Sequence, residues 1–148
     1  MVNRQTSQIT LVDYGFAKPY LNEDGTHIQE GEGTDTFEGN LLFSSLGLLE
    51  FKQPSRRDDL ISLGYMLVYL LNGQSIPFLK ENFPNFSAQT DEDKLVSLSK
   101  LKSKISLRKM ARKVDIKELL KKQLDDWSPT TLEDTAAKVK LHLSAFFK

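Results

Sequence analysis

The chain has 148 residues, 39% of them hydrophobic and 27% charged, the size and composition of one globular domain with a real core. It has no cysteine and only two histidines, His27 and His142, which excludes disulfides, thiolate catalysis, zinc–thiolate sites and a histidine-rich metal site. Net charge is zero, yet residues 1–93 carry 6 basic and 14 acidic side chains and residues 94–148 carry 14 basic and 6 acidic ones. Either two surfaces of one fold attract each other, or a basic face meets an acidic protein or nucleic acid. The lysines have no interleaved aromatics for bases to stack on, which disfavours nucleic acid. Met1 to Thr10 is polar and reads as no signal peptide, so an intracellular, cytoplasmic chain without a membrane role is expected.

In chain order, Gln8 to Asp13 alternates and then turns apolar, which predicts a short strand ending in a turn at Asp13-Tyr14-Gly15. Residues 18–53 read as a long, glycine-containing loop. Its second half, with Leu41, Leu42, Phe43, Leu46, Leu48, Leu49 and Phe51, is expected to dock onto a core. A helix follows, capped near Ser55 and stopped at Gly73. It is apolar on nearly every side and too short to span a bilayer, so it should be buried all round as the centre of the domain. Ile76 to Leu79 reads as an apolar docking segment. Further helices are expected from Thr90 with Asp93 or from Asp91 itself, from Ser106, from Asp115 with Glu118 up to Ser128-Pro129, and from Thr131 with Asp134.

Two stretches carry a family likeness. Leu11-Val12-Asp13-Tyr14-Gly15-Phe16-Ala17-Lys18 resembles the Asp-Phe-Gly segment of protein kinases, with Tyr for Phe. Ser55-Arg56-Arg57-Asp58-Asp59-Leu60-Ile61-Ser62-Leu63-Gly64-Tyr65 is nearly identical to the start of the central C-lobe helix of the casein kinase I family. Between them, Gly39 to Ser45 resembles that family's Gly-Thr-Ala-Arg-Tyr-Ala-Ser segment. The likeness is close over residues 8–79 and only helical beyond Lys80. It implies a mainly α fold, a partial kinase C-lobe around a buried central helix at about residues 56–72, with one or two short strands near the N-terminus. The chain then divides into a strand and activation-segment-like part (residues 1–54), the central helix and docking segment (55–79), and a basic helical part (80–148).

The resemblance also implies roles. Asp13 matches the aspartate that holds magnesium on ATP, Tyr14 a packing Phe, and Gly15 the hinge beside them. Asp59, with Arg56, Arg57 and Asp58 around it, matches the helix start that anchors a catalytic loop. The Gly-rich loop, the strand Lys with its helix Glu, and the His-Arg-Asp loop all lie upstream of the Asp-Phe-Gly segment in the family, and only twelve residues precede Asp13 here. No Lys or Arg lies between Pro19 and Phe51 to hold a phosphorylated substrate. Gly31-Glu32-Gly33, the one Gly-x-Gly, sits among acidic side chains that would repel a phosphate.

The expectation is therefore a catalytically inactive module with no active catalytic residue and no cofactor. Mg-ATP would bind only if the missing lobe and loop were supplied. A protein partner, or self-association, should cover the face near Ile9 and Tyr14. The alternatives are the C-terminal part of a longer or two-chain serine/threonine kinase, in which Asp13 would be catalytic, and a basic helical module for an acidic partner or nucleic acid.

Overall fold

The computed structural model describes residues 6, 8–28, 33–114, 137–138 and 141. The helices expected from Asp115 and Thr131 lie outside the described residues, apart from isolated helical positions at 137–138 and 141.

The described chain is helical, with five helices: α1 (Leu46–Leu49), α2 (Arg56–Leu71), α3 (Leu79–Asn82), α4 (Asp91–Lys104) and α5 (Leu107–Lys113). Near the N-terminus, the expected strand around Ile9 is extended chain with a single bridge position, and a second bridge pairs Leu21 with His27 in antiparallel sense. The alternation over 8–13 favours an extended backbone, but one bridge does not make a ladder.

α2 starts and stops where its sequence predicts. Ser55 is extended at the N-cap, and the Asp58 carboxylate reaches back to the Ser55 backbone N–H at 3.0 Å. At the other end Gly73 takes φ 65°, and the Gln74 N–H returns to the Tyr69 carbonyl at 2.9 Å, a glycine-terminated helix stop that a Cβ would strain. α4 is capped by the Thr90 hydroxyl, which accepts from the Asp93 N–H at 3.2 Å. The Ser106 hydroxyl accepts from the Lys109 N–H at 3.3 Å and opens α5.

The core gathers Leu49, Tyr65, Val68, Ile76, Leu79, Leu98, Leu101, Met110 and Val114. α4 packs on α1 and α3, and α5 packs on α2. The second half of the long loop docks as predicted: Phe37, Leu41, Leu42 and Phe43 lie against the core, and the Phe43 ring meets Tyr69 edge-on at 5.2 Å. Gly33 earns its place by close approach, since a Cβ there would come within 2.5 Å of the Phe51 carbonyl oxygen. That gives half of the Gly-x-Gly a structural reason unrelated to nucleotides.

α2 departs from its expected surroundings. Asp58, Ile61, Tyr65 and Val68 recur at helical spacing and face the core. On the opposite side Leu60, Leu63, Met66 and Leu70 are 59, 39, 37 and 50% exposed. The helix is apolar all round but, among the described residues, covered on one side only.

Candidate functional site

The site begins at the first turn of α2. An α-helix rotates about 100° per residue, so Asp58 and Asp59 point in different directions. Asp58 turns inward and is 2% exposed. Its Oδ1 accepts from the Ser45 hydroxyl at 2.6 Å, and its Oδ2 from the Ser55 N–H at 3.0 Å and the Ser55 hydroxyl at 2.8 Å. Arg57 approaches the same carboxylate at 3.6 Å. Burial opposes its charge, but the bonds from Ser45 and Ser55, together with Arg57, outweigh burial and hold the carboxyl below the usual range. The Ser45 hydroxyl also accepts from the Leu48 N–H at 3.2 Å, so one side chain caps α1 while bonding α2. Asp58, in the group named for loop anchoring, thus anchors Ser45 at the end of the activation-segment-like stretch.

Asp59 turns outward and is exposed. Its backbone N–H donates to the Ser55 carbonyl at 3.4 Å, but its carboxylate has no hydrogen-bond or ion-pair partner among the described residues. It lines a cavity of about 390 Å³ together with Asp13, Tyr14, Phe16, Lys18 and Arg56. The structure therefore brings Asp13, Tyr14, Asp59 and Arg56 to one cavity wall. Gly15, Arg57 and Asp58 are not on that wall. Arg57 faces a wider hollow of about 690 Å³, shared with Lys18, Tyr20, His27 and Arg56. There the Arg56 guanidinium stacks over the Tyr20 ring at 4.4 Å.

The Asp13 loop is open. Asp13 takes a left-handed φ of 66°, which an Asp tolerates because its short polar side chain can bond locally. Here Oδ1 receives the Gly15 N–H at a long 3.5 Å. Gly15 is not left-handed, and a Cβ on it would touch only Asp13 Oδ1 at 3.4 Å, so this conformation does not itself require glycine. Tyr14 is 68% exposed, and its hydroxyl donates to the Leu11 carbonyl at 3.4 Å. Among the described residues no three His, Asp or Glu side chains are grouped as a metal would need. Asp13 and Asp59 bring two carboxylates to the cavity wall and no third ligating group, so these residues by themselves form no all-protein cage for a resident Mg²⁺.

Lys102 has no counterpart in the sequence reading. It lies in α4 beside Leu98 and Leu101, buried at 5% exposure, and its ammonium donates to the carbonyls of Leu42 at 2.8 Å and Ser44 at 2.6 Å. The Tyr65 ring lies 4.1 Å beneath it. The available signal was its position: four residues after Leu98, it falls on the stripe that buries α4.

No family model matches the chain. Comparison with curated proteins finds kinases. The chain is 39% identical over 74 residues to a probable casein kinase I homolog of Encephalitozoon cuniculi, a match covering 50% of this chain and 23% of that protein. A second probable casein kinase I homolog from the same organism is 31% identical over 103 residues, covering 70% of this chain and 32% of its own length. Human serine/threonine-protein kinase VRK3 is 46% identical over 68 residues, covering 45% of this chain and 14% of its own. About half of the chain is thus similar to casein kinase I homologs and VRK3, consistent with a partial protein kinase-like C-lobe region. The chain spans at most 32% of the length of these three relatives. Among the described residues no helix is long and apolar enough to cross a membrane.

Proposed function

We propose that this casein kinase I-like chain, taken alone, is a protein-interaction module that does not transfer phosphate. The carrying observation is the apolar surface on either side of the Asp13 cavity. Ile9, Leu11, Val12, Tyr14 and Phe16 are all at least half exposed, and the outer stripe of α2 continues with Leu60 and Leu63. Apolar surface on this scale is rare on a soluble monomer unless something binds it. The chemistry argues the same way. Phosphoryl transfer needs positioning, charge neutralisation and a base that orients the nucleophile. Asp13, Asp59 and Arg56 around one open cavity supply carboxylates and a cation but no cradle for the phosphates and no loop that positions a base against a nucleophile. The test is calorimetric titration of the chain with Mg-ATP beside a phosphotransfer assay on an acidic peptide. No heat of binding and no turnover are expected, and clear turnover by the chain alone would overturn the reading.

A second reading draws on the length of the relatives. The chain corresponds to at most 32% of them, so it can be the C-terminal part of a longer or two-chain serine/threonine kinase. The outer stripe of α2 would then face the rest of that kinase, and Asp13 would hold magnesium on ATP. Coding sequence upstream of Met1 with a Gly-rich loop and a His-Arg-Asp loop, or turnover restored by a second chain supplying them, decides for this reading. In both readings the same apolar faces are covered by protein.

A further inference from the structure

The Gly39 to Ser45 stretch is held to the helices at two side-chain points. On one side the Ser45 hydroxyl donates to Asp58 of α2 at 2.6 Å. On the other, Lys102 of α4 donates to the Leu42 and Ser44 carbonyls. Between them the stretch bonds itself, with Phe43 and Ser44 N–H groups on the Asn40 carbonyl at 3.2 and 3.0 Å and the Ser44 hydroxyl on that same carbonyl at 2.7 Å. The two tethers differ in kind. Asp58 is a buried anion with three hydroxyl or amide donors and a guanidinium nearby. Lys102 is a buried amine nitrogen with two carbonyl acceptors, a ring face and no carboxylate partner among the described residues.

We propose that Lys102 is a proton-operated latch on the Leu41–Ser45 stretch: neutral, it stays buried and keeps the stretch closed on α4, and protonated, it drives the stretch open to water. An ammonium without a counter-ion is costly to bury, whereas a neutral amine keeps two N–H donors for the same two carbonyls. Burial pushes the Lys102 ammonium down from 10.5 to about 7. The carbonyls and the Tyr65 face offset part of that push, because they are negative ends of dipoles aimed at the charge.

The neighbours do not compete as titrating groups. The Gly39–Ser45 stretch carries no ionisable side chain, and neither does α1. From α2, burial pushes the facing Tyr65 hydroxyl up to about 12, so it stays neutral, and Asp58 is occupied by Ser45 and Ser55. From α3, Lys80 is exposed, and Glu81 pairs with Lys113 of α5 at 3.1 Å. The sign follows from linkage. The open state, where Lys102 meets water, binds the proton more tightly than the closed one. Opening therefore grows as pH falls from 10.5 toward 7 and levels off below the closed-state value.

The experiment measures amide hydrogen exchange of Phe43 and Ser44 in the full chain from pH 6 to pH 8, corrected for the intrinsic pH dependence of exchange. Their opening equilibrium should become about tenfold smaller over that range in the native chain. In Lys102→Met, which keeps the packing stem and removes the titration, it should be flat. The same slope in Lys102→Met, or a flat native chain, overturns the latch. Should Lys102→Met not fold, the native chain still decides, through an NMR titration of the Lys102 Cε carbon. A midpoint nearer 7 than 10.5 supports the latch, and a midpoint at the ordinary lysine value overturns it.

Discussion

The two faces of α2 have the same chemistry and opposite circumstances. Toward the core, Ile61, Tyr65 and Val68 pack with Leu98, Met110 and their neighbours. Toward solvent, Leu60, Leu63, Met66 and Leu70 are as apolar but meet no described cover. Near the start of the helix the contrast narrows to adjacent carboxylates. Asp58 binds three donors in the interior, and Asp59 lines an open cavity without a described partner. The inner face accounts for the fold. The outer face meets no cover among the described residues, and this is why a protein contact is proposed for it.

Substitutions can break this comparison in order of size. Tyr65→Ala empties the inner face and should cost about 3 kcal/mol in urea unfolding. Asp58→Ala leaves the Ser45 and Ser55 donors without their acceptor and should cost about 2 kcal/mol, whereas Asp59→Ala should stay within about 0.5 kcal/mol. pH sharpens the same pair. Because the folded Asp58 carboxyl titrates below its usual value, its contribution is complete above about pH 4 and is lost as pH falls through the lowered value. The stability gap between the native chain and Asp58→Asn should close in acid and stay constant from pH 5 upward, as followed by urea midpoints. Smallest of all, Leu60→Lys with Leu63→Lys should change the stability of the isolated chain by no more than about 0.5 kcal/mol while reducing self-association in light scattering.

Much of the fold was legible in local chemistry. Ser55, Gly73, Thr90 and Ser106 mark helix ends because caps and stops are decided by backbone groups a few residues away. The meeting of Asp13, Tyr14, Asp59 and Arg56 at one cavity was not read from the sequence, because it depends on how the Asp13 loop lies against the start of α2. What stayed hidden depended on distant partners. An apolar pattern around α2 says that both faces suit burial, but not which face is covered. Asp58 and Asp59 read alike until the position of Ser45 is known. Lys102 reads as an ordinary solvated lysine because its acceptors, the Leu42 and Ser44 carbonyls, lie some 60 residues earlier in the chain.

The central claim is that the outer face of α2 and the Ile9–Phe16 stretch are built for a protein cover. Sedimentation velocity of the purified chain, with an apolar fluorescent dye added in parallel, tests it most directly. The account predicts self-association or strong dye binding, both reduced by Leu60→Lys with Leu63→Lys. A monodisperse monomer that binds no dye would contradict it.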